Sequence, residues 1–160
     1  MKVLLVVDLQ PEFLTEDAEK CLQYIEDKGD SYDKIIATYF RRDDNKNYNF
    51  IQHMDHKALK FKKSKINSLI CNKELVIAVV KNGYSFNEGV DDLNKLLNPT
   101  DVIDVIGCDL DACVMAICFT LWDQNREFRV LTDYCYTTAK SFTKDDVIKI
   151  MKRNFGDCIV

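Results

Sequence analysis

Three residues of different chemistry stand at the ends of apolar runs: Asp8 after VLLVV, Lys81 after LVIAVV, and Cys113 after a short polar loop that follows VIDVI. A carboxylate, an ammonium and a thiol are the parts of a nucleophilic cysteine site, because a thiol attacks a carbonyl well only when a base takes its proton and a cation steadies the charge. Each has a plainer reading alone. Asp8 could cap a turn, Lys81 could be a solvated strand end, and Cys113 could be one more buried thiol in a chain with seven cysteines. The combination carries weight only if the fold brings the three runs to one edge.

The elements needed for that are legible. Residues 3–7 form a continuous aliphatic run, as expected of a strand buried on both faces, and 34–40 (KIIATYF), 75–80, 102–106 and 128–132 read as further strands, with a short last one at 158–160. Helical spacing appears at 15–28, which Gly29 stops, at 91–97 ahead of Pro99, at 111–126 with apolar residues on most of its circumference, and at 144–154. Strands alternating with helices predict an α/β fold: a three-layer α/β/α sandwich with a mainly parallel, Rossmann-like central sheet of five to six strands, in a single domain spanning 1–160. The ligand crevice of such a sheet lies beyond the carboxyl ends of its strands. Asp8 and Lys81 end the first and third strands, and Cys113 opens the helix after the fourth. A helix N-terminus favours a thiolate, so Cys113 is expected to be largely ionised near neutral pH and to be alkylated faster than the other thiols.

Composition narrows the function. The chain has 160 residues, 47% hydrophobic and 30% charged, with a net charge of −4, which gives no general attraction to nucleic acid or to an anionic membrane. The first apolar run is too short for a signal-peptide core or a membrane span. The cysteines (Cys21, Cys71, Cys108, Cys113, Cys118, Cys135 and Cys158) are odd in number and contain no C-x-x-C pair, which points to reduced thiols in a cytoplasmic setting, most of them acting as small hydrophobes.

The wording around the three residues is more specific. VVDLQPEF (6–13), KNGYSF (81–86), VIGCDLDACV (105–114) and LTDYC (131–135) together resemble the isochorismatase-like cysteine hydrolases, the superfamily that includes nicotinamidases and N-carbamoyl amidohydrolases. The resemblance implies that Asp8 takes the thiol proton, that Lys81 holds thiolate and carboxylate by charge, and that Cys113 attacks a carbonyl to form a thioester. It further implies an oxyanion hole from the backbone amides of Asp109 and Cys113, a cis peptide between Cys108 and Asp109, and a substrate pocket lined by Gln10, Phe13, Tyr84 and Phe86. A homo-oligomer, dimer or tetramer, is also implied. Asp111 reads as a cap of the nucleophile helix rather than as chemistry.

Several positions depart from that pattern. Nicotinamidases bind a metal through an Asp-x-His and a further His after the second strand, whereas this chain has TYFRRDD (38–44), so Phe40 and Arg42 occupy ligand positions. No metal and no cofactor are therefore expected. His53, Asp55 and His56 read as solvated surface residues, and Arg41 or Arg42 is a candidate partner for an anionic substrate group. The stretch 41–72 has no firm element and is the candidate for an oligomer contact or a lid. The lysine loop is short, since Phe86 directly follows Ser85. True isochorismatases cleave a vinyl ether without a cysteine nucleophile, so Cys113 argues against that reaction. The expectation is a metal-independent amidohydrolase that acts on a small carboxamide or carbamoyl compound; the alternative is a non-catalytic small-molecule-binding or thiol redox-sensing protein on the same fold.

Overall fold

A computed structural model describes residues 1–10, 13–40, 76–81, 83–86 and 93–160. The aliphatic runs form strands β1 (Lys2–Val7), β2 (Lys34–Phe40), β3 (Val76–Lys81), β4 (Val102–Gly107) and β5 (Glu127–Cys135). All pair in parallel, in the order β3-β2-β1-β4-β5. Helices α1 (Ala18–Lys28), a short α2 (Leu93–Leu96), α3 (Met115–Asp123) and α4 (Lys144–Phe155) lie between or after the strands.

Alternation along β1 divides the interior into two cores, because successive side chains of a strand point to opposite faces. Leu4 and Val6 pack with Cys21 and Ile25 of α1 on one side. Val3, Leu5 and Val7 pack on the other with Ile117, Cys118 and Leu121 of α3 and with Val147, Met151 and Phe155 of α4. The predicted three-layer α/β architecture is the one observed. Among the described residues, no helix is long and apolar enough to cross a membrane.

Boundaries differ in ways that matter for the site. The helix expected from 111 begins as a π turn over Leu110–Val114 and becomes α-helical at Met115. β5 runs three residues beyond the expected strand, and its register against β4 breaks between Val105 and Gly107, so that Cys135 faces Gly107. The last strand expected at 158–160 does not form as a strand. Residues Gly156–Cys158 make a 3-10 turn, and Ile159 meets Val130 in an isolated parallel bridge.

The sheet order reverses direction between β1 and β4, and it is there that an open parallel sheet leaves a crevice beyond its strand ends. Gly107 lets the two strands close tightly at that point. Its φ is +118°, and a Cβ there would stand 2.2 Å from the Val7 carbonyl oxygen. No side chain can be accommodated without moving one of the strands.

Candidate active site

The three residues chosen from the sequence converge. Lys81 extends from the end of β3 across β2, with its ammonium 5.3 Å from the Phe40 ring centre. Its Nζ reaches Asp8 Oδ2 at 2.5 Å and Cys113 Sγ at 3.3 Å. A third bond goes to the Gly83 carbonyl oxygen at 3.0 Å. The three N–H donors of an ammonium are thereby matched to three acceptors, which fixes its position.

Asp8 is fully buried and sits in the left-handed region, with φ +47°. Its backbone leaves the β conformation immediately after β1, which turns the carboxylate out of the strand. Thr38 of β2 holds it there: the Thr38 hydroxyl donates to Asp8 Oδ1 at 2.7 Å, and the Asp8 amide meets Thr38 Oγ1 and the Thr38 carbonyl oxygen, each at 3.1 Å. Sequence reasoning missed Thr38. The available signal was a small hydroxyl side chain in the largely apolar run of β2, one position past the Val6–Ala37 register pair and so beside the end of β1.

Cys113 lies within the π turn, and the loop before it contains a cis peptide between Cys108 and Asp109. The Asp109 carbonyl oxygen accepts from the amides of Ala112 and Val114, both at 3.0 Å, so Cys113 is held between two anchored neighbours. The Asp109 carboxylate accepts from the Thr138 amide at 2.7 Å and from the Thr138 hydroxyl at 2.8 Å.

The charge state of the sulfur reverses the expectation. Burial, followed by the Asp8 charge, pushes the Cys113 thiol well above its ordinary range, and Lys81 offsets this only in part. Burial pushes Lys81 down, but Asp8 and Cys113 outweigh it and the net shift is upward. Burial and the Asp8 charge thus favour the thiol form of Cys113 at rest. A helix end and a cation both favour the thiolate, but desolvation of the sulfur, which the sequence does not display, outweighs them.

Other expected site residues divide. Tyr84 is 46% exposed beside the cysteine, and burial first, then the neighbouring acidic groups, raises the pKa of its hydroxyl. Phe86 packs against the core cluster that includes Cys113, and Ser85 ties this loop to α3 through a 2.5 Å bond with Thr120. Gln10 anchors the end of β2. Its amide bonds the Phe40 backbone both ways, receiving the amide at 2.7 Å and donating to the carbonyl oxygen at 3.1 Å. Phe13 is buried, 6.4 Å from Phe40 between ring centres. Both support Phe40, and through it the floor under Lys81. Asp111 does not cap the helix: Asp109 holds the N-cap position, and Asp111 accepts a short hydrogen bond from the Thr137 hydroxyl. Arg41, Arg42, His53, Asp55 and His56 lie outside the described residues.

No protein-family model matches the sequence, and no curated protein matches it. Solved structures do. The pyrazinamidase/nicotinamidase from Streptococcus mutans UA159 superposes with a TM-score of 0.77 over 100% of both chains at 14% identity. An isochorismatase-like hydrolase from Alkaliphilus metalliredigens gives 0.73 over 95% of this chain and 91% of that one, at 15% identity. N-carbamoylsarcosine amidase from Thermoplasma acidophilum gives 0.73 over 99% and 94%, at 22% identity. The chain has the isochorismatase-like hydrolase fold.

On this isochorismatase-like fold, Asp8, Thr38, Lys81 and Cys113 meet at the carboxyl ends of β1, β2 and β3 and in the loop after β4. At the position where nicotinamidases were expected to place a metal ligand, Phe40 offers only a ring, buried against Phe13 and facing the Lys81 ammonium. A hydrocarbon ring has no lone pair for a cation, so Phe40 does not fit that role.

Proposed function

We propose that this chain is a metal-independent cysteine hydrolase that cleaves the C–N bond of a small carboxamide or carbamoyl substrate. The observation that carries the reading is the buried contact of Lys81 Nζ with both Asp8 Oδ2 and Cys113 Sγ, at 2.5 and 3.3 Å. A sulfur, an acceptor for its proton and a cation for the charge left behind stand within one hydrogen-bonding cluster.

The resting protonation state sets the order of steps. Cys113 keeps its proton until a carbonyl carbon is in place; then the S–C bond forms while the proton passes to Asp8 and the carbonyl electron pair moves onto oxygen. Backbone amides of Asp109 and Cys113 are the candidate donors to that oxyanion. Collapse breaks the C–N bond, and Asp8 returns the proton to the departing nitrogen, which leaves as ammonia or an amine. Water then attacks the thioester with Asp8 as base, which releases the acid and restores the thiol. Lys81 keeps its proton throughout, as its upward shift favours. The half-exposed Tyr84 and the partly buried Phe86 suit a flat or apolar acyl group at the mouth.

The competing reading, a redox-sensing or purely binding protein, has less support. Neither a sensor nor a binding protein requires a buried carboxylate and ammonium beside the thiol, whereas a hydrolase uses both. The deciding experiment supplies a panel of small primary amides and N-carbamoyl compounds, follows ammonia release, and traps the acyl-enzyme by mass spectrometry. Turnover with an adduct on Cys113, lost in Cys113→Ala, is expected. No hydrolysis across the panel, with reversible peroxide oxidation of Cys113 instead, would overturn the reading.

A further inference from the structure

Asp8 occupies a backbone conformation that L-residues seldom adopt, so its surroundings must hold it there. Thr38 secures its amide and one carboxylate oxygen. Its carbonyl oxygen has two donors: the Gln10 amide at 2.8 Å and the thiol of Cys108 at 3.3 Å. Cys108 is fully buried, and its own amide donates to the Val7 carbonyl oxygen at 2.9 Å, directly before Asp8. One residue of the β4 loop thus bonds both carbonyls at the end of β1.

A second ring of contacts supports the thiol. Tyr136 is buried behind it, its amide donating to the Gly107 carbonyl oxygen at 3.1 Å and its carbonyl oxygen accepting from the Leu110 amide at 2.9 Å. It therefore brackets Cys108 on both sides. The Tyr136 hydroxyl has no nitrogen or oxygen partner among the described residues, and the polar group it faces is the Cys108 sulfur.

We infer that Cys108 is a positioning residue for the general base: its thiol clamps the Asp8 carbonyl, and so holds the Asp8 carboxylate between Lys81 and Cys113. The role rests on the hydrolase reading above, and it separates Cys108 from the cysteines that only fill space. A plain packing cysteine would tolerate an apolar side chain of similar volume. A clamping one requires a donor, so serine should serve and valine should not.

The test compares Cys108→Val, Cys108→Ser and Tyr136→Phe in the full chain, with thermal melts as the control for folding. On an amide that the wild type cleaves, Cys108→Val should lower kcat about fivefold with KM little changed, the worth of one hydrogen bond, and Cys108→Ser should stay near wild type. Tyr136→Phe should fall between them. A readout independent of turnover is the pH dependence of Cys113 alkylation by iodoacetamide, resolved from the other thiols by peptide mass spectrometry. The groups facing Cys113 are Asp8 after β1, Lys81 from β3, Tyr84 from the loop after β3 and Cys108 from its own loop. Loosening Asp8 removes a negative neighbour and frees Lys81, so the alkylation midpoint should move to lower pH in Cys108→Val and stay in place in Cys108→Ser. A valine variant that matches wild type in both readouts overturns the inference. Equal losses in valine and serine, with equal drops in melting temperature, also overturn it by reducing Cys108 to packing. If no amide is cleaved even by wild type, the hydrolase reading fails, and the alkylation midpoints alone decide whether Cys108 positions Asp8.

Discussion

Lys81 Nζ lies 2.5 Å from Asp8 Oδ2 although the two residues end strands that are separated by β2. Strands two apart in a sheet stand roughly 10 Å from each other, and a lysine is among the few side chains long enough to cross. Both groups are almost completely excluded from water. Removing one partner strands the other charge, so Lys81→Met and Asp8→Asn should each abolish turnover. Lys81→Met should also cost about 3 kcal/mol of stability, the usual penalty for breaking a buried pair. The double variant should recover part of that loss in urea unfolding; strictly additive losses would show that the pair is not coupled.

The thiol makes a second prediction, contrary to what the sequence alone suggests. Cys113 should react slowly with iodoacetamide at pH 7, and its rate should rise only in alkali, because burial and Asp8 both favour the protonated form. Asp8→Asn removes the second of these causes and should bring the midpoint down. A fast, pH-independent reaction of Cys113 at pH 6 to 8, relative to free cysteine, would contradict a protonated resting thiol.

Thr38→Val should separate positioning from binding. Valine keeps the strand packing but removes the hydroxyl that donates to Asp8 Oδ1 at 2.7 Å and accepts from the Asp8 amide at 3.1 Å. A lost hydrogen bond to a charged group costs roughly 1.5–3 kcal/mol. Applied to the base, this should lower kcat about tenfold or more while KM changes little. An unchanged kcat would mean that Asp8 keeps its place without β2.

These residues also show where sequence reading ends. Asp8, Lys81 and Cys113 were legible because aliphatic runs announce buried parallel strands, and the residue at the carboxyl end of such a run faces the crevice. Thr38 was hidden because threonine is an ordinary strand residue, and nothing local says that its neighbour is the end of β1. Gln10 and Phe13 follow from motif position; what that position does not display is that both stand against Phe40 at the end of β2. Asp111 was misplaced as a cap because helix pattern locates an entry only to within a turn, and a π turn led by Asp109 lies there. The left-handed turn at Asp8 left no sequence mark, since aspartate adopts many turns.

Gly107→Ala tests the closure of the crevice. Its φ of +118° disfavours any L side chain, and the new Cβ would stand 2.2 Å from the Val7 carbonyl oxygen. The variant should lose on the order of 3–5 kcal/mol in denaturant unfolding, through strain and through displacement of the β1–β4 pairing. Stability within about 1 kcal/mol of wild type would show that the strands can separate there.

Alkali should unfold this protein through its interior. Burial raises the thiols of Cys21, Cys108, Cys113, Cys118 and Cys135, with Cys21 pushed up to about 12. In the unfolded chain these groups ionise near pH 8.5, while the folded chain still holds their protons. Their stabilising contribution is therefore complete below about pH 8.5 and is lost as pH climbs toward the folded values, at about 1.4 kcal/mol per thiol for each pH unit. The raised Lys81, Tyr32 and Tyr136 act in the same direction at still higher pH. Urea midpoints measured under reducing conditions should accordingly fall steeply between pH 8.5 and 10.5, with the denaturant slope unchanged at first. Replacing Cys118 by alanine costs packing at pH 7 but should flatten that fall, since one buried thiol no longer resists ionisation. A midpoint that stays level to pH 10.5 would mean that water reaches these sulfurs in the folded state.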